Sequence, residues 1–161
     1  MQTIESLIET MPQVGTVEWI GVRPAHGQPM QMPQSVEARA GSGLTGDRFK
    51  ARSTSREVTF IQAEHIDVVS SIMGFAVEPG TLRRNIVVRG LNVAALKGKW
   101  FSAGSAVFEF TGLAHPCSLM EEALGPGGYN AMRGHGGITA RIVSSGVLRC
   151  GDAVRLADRQ S

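Results

Sequence analysis

Cys117 lies in the run His115-Pro116-Cys117-Ser118 and carries the most nucleophilic side-chain type in the chain. Proline first, with Gly125 just past Leu124, predicts a short helix over 116–124. A cysteine just inside a helix start meets unpaired backbone N–H groups and the positive end of the helix dipole, which both stabilise a thiolate. A protonated His115 adds to that effect. Such a thiolate can act as a nucleophile, a sulfur carrier or a soft-metal ligand. Cys117 also shares a helical face with Met120 and Leu124, and free cysteine is among the most buried residue types. On residue physics alone, core packing is the favoured reading.

Two further runs could bind an anion. Arg83-Arg84-Asn85 opens a predicted strand, and paired arginines can clamp a phosphate bidentately; neighbours on a strand more often alternate sides and are solvated. Arg133-Gly134-His135-Gly136-Gly137, continuing to Arg141, is the densest glycine cluster. Glycines let backbone N–H groups approach an anion, with flanking arginines supplying charge. The pattern fits neither a phosphate-binding P-loop nor a dinucleotide fingerprint, and a tight hairpin connection explains it equally well. Gly125-Pro126-Gly127-Gly128 upstream allows a long flexible loop covering a ligand. Asp47 beside Arg48 could orient another base, or simply serve a turn. His26, His65 and His135 are scattered in sequence, with no spacing that makes a zinc site. Cys150 reads as a packing residue.

Short strands with glycine at the corners must position these groups. Residues 3–11 read as a short helix, with Ile4, Leu7, Ile8 and Met11 at helical spacing and Pro12 as the stop. Strands are expected at 14–22, 35–40, 56–61, 85–89, around 100–101, and at 106–111, 138–143 and 153–156. One longer helix places Ala63, Ile66, Val69 and Met73 on one face, with Gly74 as its C-cap. One long helix is too few for alternating βαβ units. The expected fold is mainly β: one closed or nearly closed barrel over 14–158 with peripheral helices, after an N-terminal helical segment, 1–13.

Composition narrows the function. Hydrophobic residues make up 42% and charged residues 19% of 161, with mean hydropathy near zero, which excludes a disordered tail and a membrane protein. Two cysteines cannot build a disulfide framework or a zinc ribbon. The net charge is only +2, yet 13 of the 16 basic residues are arginine, the side chain suited to phosphate or carboxylate. The stretches 39–56 and 79–120 hold most of the unbalanced charge and, folded together, would form a local anion site. No apolar run suits a signal peptide or a membrane span, so a reducing cytoplasm is the expected location. The chain has one tyrosine and few aromatics, which disfavours a nucleic-acid-binding barrel.

In order along the chain stand Gly46-Asp47-Arg48, Val58–His65, Arg83–Gly90, Leu96-Lys97-Gly98, His115-Pro116-Cys117, Arg133–Gly137 and Gly151-Asp152. Each run is unspecific alone; their ordered combination resembles the MOSC domain, found at the C-terminus of molybdenum-cofactor sulfurases and in stand-alone bacterial proteins. The resemblance spans about residues 14–158 and implies a β-barrel with a functional cysteine, here Cys117, with His115 beside it. In relatives that bind the molybdenum cofactor (molybdopterin), that cysteine coordinates molybdenum while basic residues hold the pterin phosphate. The candidates here are Arg83, Arg84, Asn85, Arg133, Gly134, His135, Gly136, Gly137 and Arg141.

The activity so implied is reduction of an N-oxygenated small molecule at a Cys117-ligated molybdenum, with an external electron donor. The alternatives are a sulfur carrier cycling through a Cys117 persulfide supplied by a cysteine desulfurase, or a carrier of the cofactor without turnover. No pyridoxal-phosphate domain is expected in this chain, so sulfane sulfur would come from a partner. One departure stands out. Relatives active on N-hydroxylated bases carry a His-Gly-Gly stretch soon after the Gly-Asp motif, whereas Phe49–Ser55 has no histidine.

Overall fold

The computed structural model describes residues 1–48 and 54–159; most of the histidine-free stretch after Gly46-Asp47 lies outside them. Seven strands close into a barrel: β1 (Gly15–Ile20), β4 (Val58–Gln62), β5 (Ile86–Arg89), β6 (Trp100–Ala103), β7 (Ala106–Leu113), β8 (Ile138–Ser144) and β10 (Ala153–Ala157). Their order around the barrel is β1-β10-β6-β7-β8-β4-β5. A second, three-stranded sheet runs β3-β2-β9, from β2 (Ser35–Arg39), β3 (Gly43–Leu44) and β9 (Gly146–Arg149).

Within the barrel β4 and β5 pair in parallel, Phe60 opposite Ile86, and every other paired neighbour is antiparallel. A parallel pair needs a crossover, and the helix α2 (Ala63–Met73) supplies it. Its buried face is Ala63, Ile66 and Val69, and it ends at Gly74, whose φ of 82° lets its N–H reach the Ser70 carbonyl at 2.9 Å.

Side-chain alternation then sorts two cores. Val58 and Phe60 of β4, and Ile86 and Val88 of β5, point inward with Phe101 and Phe108. Phe60 meets Phe101 and Phe108 edge to face with centroids 5.0 Å apart, and Phe101 stacks on Phe108 at 5.6 Å, filling the lumen. Ile61 and Val87 point outward, against α2 and two short helices, α3 (Ser118–Leu124) and α4 (Gly128–Met132), whose Met120, Leu124 and Met132 complete the outer core.

Two expectations are revised. The helix expected from Pro116 begins at Ser118, with Cys117 as its N-cap. The flexible loop over 125–137 is instead interrupted by α4, which packs on α3. The helix α1 (Ile4–Glu9), capped by the Thr3 hydroxyl on the Ser6 N–H at 3.1 Å, buries none of its own residues; Ile4, Leu7 and Ile8 are exposed. Strands β3 and β9 were not anticipated. Among the described residues no helix is long and apolar enough to cross a membrane.

Candidate functional site

Arg84 leads into β5 and organises the surrounding loops. It is only 8% exposed, and its guanidinium donates to three backbone carbonyls: Nε to Gly136 at 2.7 Å, Nη2 to Ala114 at 3.2 Å and Nη1 to Leu82 at 3.3 Å. These carbonyls belong to the loop before β8, the link from β7 to α3, and the 3-10 turn Pro79–Leu82. One buried side chain thus bolts three segments together. Burial lowers its pKa most, positive Arg56 acts in the same direction, and Cys117 works the other way.

The glycine run fits against this brace by close approach. A Cβ at Gly136 would come within 2.0 Å of the Ala114 carbonyl oxygen. At Gly137, where φ is +85°, a Cβ would come within 2.0 Å of the Phe60 carbonyl oxygen. The Ala114 N–H donates to the Gly137 carbonyl at 2.9 Å, locking the loop to the end of β7. Between them lies a cleft of about 100 Å³, lined by Ala94, His65, His115, Pro116, Gly134 and Gly136 among others. Cys117 follows two residues after His115 and is exposed. His65 and His135 meet edge to face with centroids 4.9 Å apart, and His135 Nδ1 lies 3.0 Å from the Ala131 carbonyl oxygen. Burial lowers the His65 pKa most, the neighbouring His135 ring adds to this, and Glu64 opposes it.

A second, more polar cleft of about 310 Å³ is lined by Arg23, Arg48, Arg83, Asp47, Asn85 and Thr59, with Met30. Asn85 builds its floor: its amide nitrogen donates to the Gly21 carbonyl at 3.0 Å, and its carbonyl accepts the Thr59 N–H at 3.0 Å. Asp47 accepts the Arg23 backbone N–H at 2.8 Å. Burial raises the Asp47 pKa, against the hydrogen bonds and positive charge that lower it; Arg23 is lowered by burial and then by Arg83. Arg83 has φ +60°, the one positive value at a non-glycine among the described residues, and costs of order 1 kcal/mol at such a place. Three arginines and a single carboxylate leave an excess of positive charge, suited to a dianion.

A family model described as the MOSC domain matches residues 24–155. The chain belongs to the MOSC domain family. Solved structures agree on the MOSC fold. The YuaD protein of Bacillus subtilis superposes with TM-score 0.77 at 16% identity, over 94% of this chain and all of that one. YiiM of Geobacillus stearothermophilus gives 0.72 at 18%, over 90% of this chain and 76% of that one. YiiM of Escherichia coli gives 0.66 at 17%, over 94% and 72% respectively. No curated protein sequence matches the chain.

On this MOSC barrel, Arg84, Gly136, Gly137 and the His115–Cys117 segment come together. The adjacent Arg83 and Asn85 line the arginine cleft, so the two arginines do part, one exposed and one buried. Arg84 braces carbonyls in place of the open phosphate clamp read from its sequence. Cys117 is exposed, so it is not the core residue that composition favoured. Arg133 is exposed, its nearest polar partner being Asn130 at 3.5 Å. Arg141 lines neither cleft; it pairs with Glu109 at 3.0 Å on the neighbouring strand. Cys150 packs against the barrel core, as expected, and burial raises its thiol pKa. Sequence reasoning missed Arg23, which no motif singles out, and the His65–His135 contact, 70 residues apart in sequence. Among the described residues no group of three or more His, Cys, Asp or Glu could hold a metal ion.

Proposed function

We infer that this MOSC protein holds a molybdenum cofactor and reduces an N-oxygenated small molecule, with electrons from an external donor. The carrying observation is an exposed Cys117 thiol, three residues after the Ala114 carbonyl that buried Arg84 holds, together with a cleft edged by Arg23, Arg48 and Arg83, the last being Arg84's neighbour in sequence. This donor set fits the group: a thiolate is a soft ligand suited to a metal with other sulfur ligands, and the arginines suit a phosphate. Cys117 would ligate the metal and the arginine cleft would hold the pterin phosphate, while Gly136 and Gly137 keep the wall close. When bound, the molybdenum centre supplies the two-electron chemistry that breaks an N–O bond, with two protons consumed and water released. His115, on the cleft wall, stands where a substrate polar group would lie. Cytoplasmic location goes with this reading.

Purification from a host that makes the cofactor, followed by metal and pterin analysis, tests it. Molybdenum near one equivalent is expected in the parent and its loss in Cys117→Ala; full retention in that variant removes the ligand assignment. The exposure of Cys117 also favours one other reading, a persulfide carrier reached by a cysteine desulfurase. Incubation with a desulfurase then adds one sulfur (about 32 Da) to Cys117 by mass spectrometry; an unmodified thiol in transfer-competent protein excludes it.

A further inference from the structure

Lys99, just before β6, is a buried cation with an exposed partner. Its side chain is 7% exposed, and its ammonium pairs at 3.0 Å with Glu9 Oε1, on a side chain that is 74% exposed. Glu9 ends α1, the helix that buries none of its own residues; Met11, just beyond, packs on the barrel core and tethers it. Burying an ammonium is strongly unfavourable, whereas a carboxylate out in solvent is screened and compensates weakly. The ammonium has three N–H donors, and among the described residues Glu9 alone accepts from it. A cavity of about 310 Å³ opens at this pair, lined by Lys99, Trp100, Leu156 and Arg159, with Glu9 and Asp158 as its acids. It shares no lining residue with the Cys117 cleft or the arginine cleft. Arg159 lies over the Trp100 ring, 5.9 Å from its centroid, and donates to the Gly98 carbonyl at 2.9 Å. Glu109 accepts from the Trp100 indole N–H at 3.0 Å and stands 3.7 Å from Arg159.

We propose that this cavity binds a small monocarboxylate with a flat apolar body, and that Glu9 is its internal occupant in the free chain. The ligand carboxylate replaces that of Glu9 on the Lys99 ammonium, and its body rests against Trp100 and Leu156. Asp158 and Glu109 beside the two cations disfavour a dianion such as phosphate. Displacing Glu9 frees α1, and because Ile4, Leu7 and Ile8 are already exposed, no buried apolar contact of the helix is broken. The exchange is one carboxylate for another. This site stands apart from the proposed function, since it uses neither Cys117 nor the arginine cleft.

The chain has two tryptophans, so Trp19→Phe leaves Trp100 as the sole indole reporter. The full chain with this change, and the same chain with Glu9→Gln added, are titrated with benzoate, acetate and inorganic phosphate, followed by fluorescence and calorimetry. Benzoate is expected to bind both and to change Trp100 emission. It should bind at least about ten-fold tighter in Glu9→Gln, where the internal competitor has lost its charge, a gain of roughly 1.4 kcal/mol. Acetate should bind several-fold more weakly than benzoate, and phosphate more weakly still. Saturating benzoate should raise amide exchange across α1 in the chain that keeps Glu9. Lys99→Met should abolish benzoate binding, whereas Lys99→Arg, which keeps a cation there, should retain it. Equal benzoate affinity with and without the Glu9 charge, or unchanged exchange in α1, overturns the inference. So does benzoate binding that survives Lys99→Met, acetate or phosphate binding as tight as benzoate, or no benzoate binding to any form.

Discussion

Replacing Arg84 by methionine keeps much of the side-chain length and volume and removes every donor. Three buried carbonyls, at Gly136, Ala114 and Leu82, lose their guanidinium partner at once. Each buried acceptor left unsatisfied costs about 1–3 kcal/mol. Against this, the variant no longer holds a cation out of water, whose burial costs several kcal/mol. The net loss expected is about 2–4 kcal/mol, most of it from the stranded carbonyls. For a domain of this size each kcal/mol lowers Tm by roughly 2–4 °C, so Tm falls by about 5–15 °C. Urea unfolding should show a lower midpoint at unchanged slope. Amide exchange should rise at 114–117 and 134–137 before it rises in the barrel strands, because the bolt joins those segments. Lysine at the same position keeps the charge but reaches fewer carbonyls from one ammonium, and about half the loss is expected. A methionine variant within about 0.5 kcal/mol of the parent, the range of ordinary surface changes, would refute the bracing role.

The other expectations follow from single contacts. Gly137→Ala places a Cβ within 2.0 Å of the Phe60 carbonyl oxygen, while Gly134→Ala meets nothing within 4 Å though its φ is also positive; thermal melts should show a severe loss for the first and roughly 1 kcal/mol for the second. Asp47→Asn removes the negative charge from the arginine cleft and should tighten sulfate binding at neutral pH. Burial raises the Asp47 pKa, so wild type takes up its proton at a higher pH than an ordinary aspartate, and calorimetry should find the two affinities converging as pH falls through that region. His65 has a lowered folded pKa; its contribution to stability is present above the unfolded value near 6.5 and is lost as pH falls through the folded one. His65→Gln should therefore lose less stability than the parent between pH 7 and pH 5 in urea titrations, and an identical pH profile would count against the burial of that ring.

Much of the barrel was legible because its strands alternate. Val58–Ile61 and Ile86–Val88 show the inward and outward sets directly, and Gly74 marks the end of α2. What the sequence hid has physical causes. Strands β3 and β9 are short and carry glycines, so their pattern is too brief to read. The glycines of 125–128 suggested mobility, yet Leu124 and Met120 pack so closely over Gly128 that a helix forms there. Arg84 became a brace because the sheet brings the Gly136 and Ala114 carbonyls to it from 52 and 30 residues away. Arg141 sits opposite Glu109 across β7 and β8, a register no local pattern announces. Cys117 was assigned to the right segment but the wrong environment, since its helix starts one residue after it and turns the thiol outward.

The seam of the barrel sets how the chain can acquire its shape. Strand β10 is inserted between β1 and β6, with Gly15 opposite Val154 and Ala157 opposite Trp100. Until residues 153–157 have been synthesised, both neighbours present bare N–H and C=O rows, and the lumen around Phe101 stands open on one side. Pairing across nearly the full chain length makes closure a slow step. A nascent or C-terminally nicked chain therefore exposes two sticky edges at once, and vulnerability to aggregation is concentrated in the interval before the last strand docks.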